Sequence, residues 1–162
     1  MSIIGLLIFS IKGKLLLYRH LSKYNLQSKS QIECHILNFL LLYKPTQESS
    51  IIINNTYTYL YLHLSQSEFI SIITTTKSNI IIDMQVLKLC HRVIIDICGI
   101  NFNEQLLREN ALKIFESIDE IYINDLKYAK NIYDVKTNVN MIKLGIMEIK
   151  KKKEEKKEKE KE

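Results

Sequence analysis

Short apolar runs at the beginning of the chain predict a β-hairpin. The first run, IIGLLIFSI at residues 3–11, and the second, LLLYR at residues 15–19, flank a turn at residues 12–14 that contains Gly13. Two apolar runs on either side of a Gly-containing turn are typical of paired antiparallel strands. Because both runs are continuously apolar and do not alternate, we expect their sheet to be covered on both faces.

An apolar pattern with helical spacing follows in SKSQIECHILNFLLLYKP, residues 28–45. Ser30 is suited to cap this helix, with Glu33 three residues later as in a capping box. Pro45 marks its end, because the residue before a proline disfavours the helical conformation. We expect an inward apolar face and an opposite polar face. The inward residues are Ile32, Ile36, Phe39, Leu40 and Tyr43, and the polar ones are Gln31, His35 and Asn38.

Three further apolar runs, at residues 50–54, 57–64 and 69–76, predict an antiparallel meander. The middle run alternates, so its side chains point to two faces of the sheet in turn. One face receives Leu60, Leu62 and Leu64, and the other receives Tyr57, Tyr59, Tyr61 and His63.

The last of these strands gives way to a helix at KSN, residues 77–79. Ser78 or Asn79 can cap the helix, Asp83 suits its positive N-terminal end, and Gly99 ends it. Its apolar surface consists of two adjacent stripes, which predicts deep burial against the sheet. The first stripe holds Met84, Leu87, Cys90, Ile94 and Ile97, the second holds Val86, Leu89 and Val93, and the polar stripe holds Gln85, Lys88, Arg92 and Asp96.

A second helical pattern opens near Asn101 or Asn103 and fades after Ile123. Its inward face holds Leu107, Ala111, Ile114, Ile118 and Tyr122, and its outward face holds Arg108, Glu109, Lys113, Glu116 and Glu120. The pattern is weaker over residues 124–140, although Ile132, Val135 and Val139 predict a short helix there. Beyond it, the Lys/Glu-rich residues 142–162 predict a solvated helix or a disordered linker.

Composition limits the classes of partner. The 162 residues carry a formal net charge of +5. The tail over residues 150–162 has eight Lys and five Glu, or +3, so residues 1–149 carry +2. No basic patch is visible in that nearly neutral part, so we expect no nucleic-acid partner. The N-terminal apolar run is about nine residues, too short to span a bilayer, so we expect any membrane association to be peripheral.

No arrangement of residues predicts catalysis, a cofactor or a metal site. The four His residues are not spaced with Cys or carboxylates as zinc ligands are, and the three Cys residues form no CxxC pair. Those residues are His20, His35, His63, His91, Cys34, Cys90 and Cys98. Cys90 and Cys98 are interpreted as core residues, and the adjacent carboxylates Asp119 and Glu120 as part of a solvated helix face.

The tyrosines at positions 57, 59 and 61 allow two interpretations. Three aromatic rings on one sheet face can stack RNA bases. The strands lack interleaved Arg and Lys, and a sheet covered on both faces needs large side chains on both. We therefore favour core packing for Tyr57, Tyr59 and Tyr61.

The stretch YTYLYLHLSQSEFISIITTTKSNIIIDMQVLKLCHRVI, residues 57–94, resembles the delta-subunit family of the COPI coatomer. Residues 73–94 carry the most specific part. SIDEI at 117–121 is similar to the end of the third helix in coat-adaptor longin domains, and NIYDVKT at 131–137 is similar to the segment that follows it. The signature residues of this resemblance are Thr74, Thr75, Lys77, Ser78, Asn79, Asp83, Leu87, Leu89, Asp119 and Glu120.

The resemblance implies an α+β fold, an α/β/α sandwich. In it, a five-stranded antiparallel sheet of the longin type carries one helix on one face and two on the other. The longin domain is expected over residues 1–141 and a charged linker over residues 142–162. Residues 21–45 match by pattern alone. The family's C-terminal mu-homology domain is absent from this chain, which is expected to be a fragment of a longer delta subunit or a shortened gene model.

The resemblance also implies a non-enzymatic role. A coatomer delta subunit is a structural part of the COPI coat in Golgi-to-ER retrograde and intra-Golgi transport. Its expected partners are the other coatomer subunits, chiefly the beta large subunit, with recruitment by an Arf-type GTPase to the cytosolic face of Golgi membranes and COPI-coated vesicles. The alternatives are a clathrin-adaptor medium or small subunit and a longin-type SNARE regulatory domain. The SNARE needs a long apolar heptad segment after the domain, which the tail lacks.

Overall fold

A computed structural model describes residues 3–22, 27–46 and 50–121. Within these ranges the chain forms five strands and four helices. The strands are β1 (Ile3–Ser10), β2 (Leu15–His20), β3 (Ile51–Ile53), β4 (Tyr57–His63) and β5 (Glu68–Thr75). The helices are α1 (Lys29–Leu42), α2 (Ile80–Cys98), α3 (Glu104–Glu109) and α4 (Ala111–Ile121).

The five described strands form one sheet in the order β2-β1-β5-β4-β3. Every neighbouring pair is antiparallel. This confirms the predicted hairpin β1–β2 and the predicted meander β3–β5. β1 lies against β5, with Leu6 opposite Ile72 and Phe9 opposite Phe69. The two units are therefore joined through the middle of the sheet, and β2 and β3 are left at its edges.

Each face of the sheet has its own hydrophobic core, as the alternation in β4 predicts. Tyr59 and Tyr61 pack on one face with Phe39 of α1, whose ring meets that of Tyr61 edge-on at 5.0 Å. Leu60 and Leu64 pack on the other face with α2 and α4. The α+β sandwich is thus confirmed, and Tyr59 and Tyr61 are buried core residues, which leaves those two rings no face for stacking bases.

The predicted cap of α1 is wrong by two residues. The helix begins after Ser28, whose hydroxyl oxygen accepts a hydrogen bond from the backbone N–H of Gln31 at 3.3 Å. The side-chain oxygen of Gln31 accepts in return from the N–H of Ser28 at 2.7 Å. A capping box accepts Gln as well as Glu at its last position, so Ser28 and Gln31 form the box instead of Ser30 and Glu33.

The predicted outward position of His35 is also wrong, because this side chain is buried. It lies three residues after Ile32 and four before Phe39, and residues at these spacings share a helix face. Its Nδ1 lies 2.9 Å from the hydroxyl of Tyr59, and its Nε2 lies 3.1 Å from Oε1 of Gln27. These two partners satisfy the imidazole in the core.

The helix predicted to open near Asn101 or Asn103 is two helices, α3 and α4. Asn103 is the N-cap of α3, accepting from the N–H of Leu106 at 2.9 Å. The break lies at Asn110, whose side-chain amide donates to the carbonyl oxygen of Leu106 at 2.9 Å. Such local side-chain bonding competes with helical bonding. The inward residues Leu107, Ile114 and Ile118 are buried as predicted.

Helix α2 agrees with its predicted faces. Its polar stripe is exposed and its two apolar stripes contact the sheet. Of the two candidate caps, Asn79 is the N-cap, and its side-chain oxygen accepts from the N–H groups of Ile81 and Ile82. Gly99 ends the helix with a φ of +83°, a backbone conformation that favours glycine.

Several predictions lie outside the described residues. They are the short helix around residues 132–139, the NIYDVKT segment, the end of the expected domain at residue 141 and the charged linker over residues 142–162. In the described part of the chain, no helix is both long and apolar enough to cross a membrane.

Candidate docking surfaces

The signature residues around the β5–α2 junction build local architecture. Thr74 is buried, and its hydroxyl donates to the carbonyl oxygen of Thr58 at 3.4 Å. The carbonyl oxygen of Thr75 accepts from the N–H of Ser78 at 3.1 Å, which closes a turn. Lys77 is exposed at this turn. The turn therefore ends β5 and positions Asn79 as the first residue before α2.

Asp83 is the charged residue within this junction, and it is 2% exposed. The hydroxyl of Ser78 donates a hydrogen bond to Oδ2 of Asp83. Burial raises the pKa of the Asp83 carboxyl, and the hydrogen bond from Ser78 opposes that rise. Leu87 and Leu89 follow on the buried face of α2. Ser78, Asn79 and Asp83 are thus close together at the junction, where their hydrogen bonds connect the end of β5 to the first turn of α2.

The other two signature residues, Asp119 and Glu120, lie on α4. The guanidinium of Arg19 on β2 donates twice to the Asp119 carboxylate, at 2.8 Å for both bonds. Both side chains are partly exposed, and Glu120 is half-buried. The signature residues therefore lie in two places: at the β5–α2 junction, and on α4, where the ion pair of Asp119 with Arg19 connects α4 to β2. We call this ion pair the clasp.

The remaining histidine and cysteine side chains of interest are hydrogen-bonded within the fold or buried in it. Nε2 of His91 lies 2.9 Å from the carbonyl oxygen of His63, and Nδ1 of His20 lies 3.1 Å from the hydroxyl of Tyr18. Burial raises the pKa of the Cys90 thiol to about 12. Within residues 3–22, 27–46 and 50–121, no three His, Cys, Asp or Glu side chains cluster as ligands of one metal ion.

The solvent-facing side of α1 is apolar in the C-terminal half of the helix. Leu37 is 58% exposed and Leu41 is 81% exposed. Cys34 and Leu42 are exposed on the same helix. The sequence from residue 34 to 43 contains no Asp, Glu, Lys or Arg. We call Cys34, Leu37, Leu41 and Leu42 the α1 outer face.

Sequence reasoning missed the α1 outer face. Its signal is the run LLL at residues 40–42, together with Leu37. Consecutive residues on a helix diverge by about 100°, so three leucines in a row cannot all point inward. With Phe39 and Ile36 already in the core, the run predicts leucine on the outside.

A second surface is a groove of about 300 Å³ between β2 and the α3–α4 pair. It is lined by residues 15–18 of β2 and by Leu107, Arg108, Ala111 and Phe115. We call it the β2 groove. Two ion pairs lie beside this groove. Lys14, one residue before β2, has its Nζ 2.7 Å from Oε1 of Glu104 on α3, and Arg19 of β2 bonds Asp119 on α4 as described.

Comparison with known proteins places the fold. No family model matches the sequence, and no curated protein matches it. Among solved structures, the chain is similar to a chain in a homology model of the full-length AP-3 complex in a stretched open conformation. The sequence identity is 14%, the TM-score is 0.64, and the match covers 93% of this chain and 98% of that one. At this identity the likeness shows a shared fold and nothing finer.

Proposed function

We propose that this protein is a non-enzymatic structural subunit of a vesicle coat, held in its complex through the α1 outer face. The observation that carries this proposal is the exposed leucine surface on a helix whose other side is already packed in the core. Contiguous exposed apolar residues on a soluble protein mark interaction sites. Burying one leucine side chain contributes about 1.5–3 kcal/mol, so burial of these three against a partner would favour association.

The finer proposal is a coatomer delta subunit that docks to the beta large subunit. It is supported by the resemblance over residues 73–94, whose Ser78, Asn79 and Asp83 act together at the β5–α2 junction. The same proposal includes recruitment by an Arf-type GTPase to the cytosolic face of Golgi membranes. In this role the sheet, covered by helices on both faces, is a rigid body that presents α1 to its partner.

The second candidate is a medium or small subunit of a clathrin-adaptor type complex. The structural likeness to a chain of the AP-3 complex supports this candidate. The two candidates share the fold and the docking mode, and they differ in the large subunit that is bound.

Coexpression distinguishes the candidates. The chain is expressed in turn with a coatomer beta-type large subunit and with the large subunits of AP-3, and co-purification is measured. We expect retention with the beta-type subunit. Retention with an AP-3 large subunit instead would replace the finer proposal by the second candidate, and retention with neither would overturn both.

The α1 outer face is tested in the same assay. Replacing Leu41 by Asp places a charge where burial is expected, so binding should fall by at least tenfold, equivalent to about 1.4 kcal/mol. Leu112→Asp is a matched control, because Leu112 on α4 is 80% exposed, against 81% for Leu41. Equal loss in both variants would show that the α1 outer face is not the docking surface.

A further inference from the structure

We propose that two copies of this chain pair through their α1 outer faces, with the two α1 helices antiparallel about a twofold axis. The inference rests on the proposed function in one respect. Because a large coat subunit is proposed to dock on the same face, self-pairing and docking exclude each other. Self-pairing then covers the exposed leucines until a large subunit takes their place.

The exposed residues of α1 follow the spacing of a helix–helix seam. Cys34, Leu37 and Leu41 are exposed. They are separated by three and then by four residues, which is the a-d-a spacing of a coiled coil. The opposite side of the helix is already occupied, because Ile36 and Phe39 are buried in the core. One further helix can therefore pack along this line without displacing anything in the fold.

The charges at the two ends of the apolar segment have opposite signs. Residues 34–43 contain no Asp, Glu, Lys or Arg, and the segment is bounded by Glu33 and Lys44. Both are exposed, and neither belongs to an ion pair within the described residues. The remaining charge on α1 is Lys29 at its first residue. A lysine four residues before a glutamate is the weaker order of a helical ion pair, and Lys29 forms none with Glu33.

This arrangement of charges is complementary to itself only when the helices are antiparallel. In the register that sets Leu37 opposite Leu41 of the second copy, Leu41 lies opposite Leu37 of that copy in return. Glu33 then comes within one residue of Lys44 of the second copy. A twofold axis produces each of these contacts twice. In a parallel pair each charge would meet the same charge, so the face selects a second copy in the antiparallel direction.

The size of the contact limits its strength. Stable protein interfaces bury about 1,600 Å² in total. Each copy contributes a single helix of 14 residues, and two such helices meeting along one seam bury less than that. We therefore expect a weak pair that dissociates in dilute solution and forms when the protein is concentrated, which leaves the α1 outer face open to a large subunit.

Sedimentation velocity of the full chain, from micromolar to near-millimolar concentration, tests the pairing. We expect the mass to rise from that of one chain towards that of two. Leu41→Asp should weaken the association by at least about tenfold. Leu112→Asp should associate as the parent does, because Leu112 is equally exposed but lies on α4. A single monomeric species at every concentration, or equal association of Leu41→Asp and the parent, would overturn the proposal.

Charge reversal tests the antiparallel direction. Glu33→Lys and Lys44→Glu each bring like charges together, so each alone should weaken pairing by about fivefold, as expected for exposed ion pairs. A mixture of the two variants restores opposite charges in both contacts and should recover the parental association. Lys113→Glu, an exposed charge reversal on α4, is the control and should change nothing. A mixture that associates no better than the single variants would rule out the antiparallel pair.

The coexpression assay separates this inference from the proposed function. A chain that is monomeric at every concentration and is still retained by a large coat subunit would overturn self-pairing alone. A chain that pairs but is retained by no large subunit would overturn the proposed function alone. Where both hold, the purified complex should contain one copy of this chain, and a complex with two copies joined through α1 would contradict the exclusion.

Discussion

The hydroxyl of Ser78 donates a hydrogen bond to the carboxylate of Asp83, five residues later and one turn inside α2. This bond supplies a partner for a carboxylate that is 2% exposed. It also fixes the turn that joins β5 to α2, because the N–H of Ser78 is bonded to the carbonyl oxygen of Thr75 at 3.1 Å. Ser78 and Asp83 therefore connect β5, the turn that follows it and α2.

Removing the hydroxyl should cost more stability than a surface substitution. Ser78→Ala leaves the buried Asp83 carboxylate without that partner, and a lost bond to a buried polar group costs about 1–3 kcal/mol. Equilibrium unfolding in urea measures the change. Thr76→Ala, which removes an exposed hydroxyl in the same turn, should stay within about 0.5 kcal/mol of the parent. Equal effects in the two variants would contradict the role given to Ser78.

Asp83 should make the protein less stable as the pH rises. Burial raises the pKa of this carboxyl from 3.8. At a pH between the pKa in the unfolded chain and the higher pKa in the folded chain, the folded chain holds a proton that the unfolded chain has lost. The stabilisation that comes from this bound proton is therefore complete below about pH 4, and it is lost as the pH rises through the pKa of Asp83 in the folded chain. In Asp83→Asn, that fall in the free energy of unfolding should disappear. Asp96→Asn, at an exposed position of the same helix, should keep it.

His35 should produce the opposite dependence in a higher pH range. Burial lowers its pKa. Below about pH 6.5 the unfolded chain takes up a proton that the folded chain does not, which lowers the free energy of unfolding by up to about 1.4 kcal/mol per pH unit. Unfolding measured from pH 7 to pH 5 should show this loss. His35→Gln should reduce the slope and the exposed His63→Gln should retain it; an unchanged slope in His35→Gln would refute the assignment.

The protonation state of His35 follows from its neighbours. Oε1 of Gln27 accepts a hydrogen bond, so Nε2 of His35 donates to it, and Nδ1 then accepts from the hydroxyl of Tyr59. Burial raises the pKa of Tyr59 to about 12, which keeps that hydroxyl protonated. Tyr59→Phe should therefore leave Nδ1 without a donor and cost about 1–3 kcal/mol, measured by urea unfolding.

The sequence predicts what depends on local periodicity and misses what depends on long-range pairs. The alternation in β4 correctly separates Leu60 and Leu64 from Tyr59 and Tyr61, because side-chain direction in a strand is set by position alone. The burial of His35 was missed although its spacing from Ile32 and Phe39 places it on the buried face. Its hydrogen-bond partner in the core, Tyr59, lies 24 residues further along the chain and was not visible in the local pattern. Dividing the residues of α1 into polar and apolar ones placed this histidine outside.

The break between α3 and α4 is a local exception to this rule, whereas the β2 groove follows it. The division between α3 and α4 depends on one side-chain bond of Asn110, which competes with a pattern that is otherwise helical. The β2 groove depends on the packing of Leu107 and Phe115 near a strand about 90 residues earlier, a relationship that no local pattern contains. The signature residues gave the architecture of the β5–α2 junction, and the exposed contact surfaces lie elsewhere.

Arg19 and Asp119 should contribute little to stability. Their side chains are 40% and 49% exposed, and solvent-exposed ion pairs contribute about 0.2–1 kcal/mol. A double-mutant cycle with Arg19→Ala and Asp119→Ala measures the coupling in urea. A coupling above about 2 kcal/mol would show that the clasp between β2 and α4 stabilises the fold. A small coupling, together with weaker binding to a large coat subunit, would assign Asp119 to an interface.

Cys34 offers a direct test of the α1 outer face. It is exposed, whereas Cys90 and Cys98 are buried and burial raises the pKa of both thiols. Because the thiolate is the reactive form, iodoacetamide should modify Cys34 first in the folded protein and all three cysteines in denaturant. In a complex with whichever large coat subunit retains the protein in the coexpression assay, the rate at Cys34 should fall by at least tenfold, as measured by mass spectrometry over time. Cys34→Ser should remove the fast phase, which identifies the thiol that reacts first. An unchanged rate in the complex would place the docking surface on another face, since iodoacetamide reaches an exposed thiol unless a partner covers it.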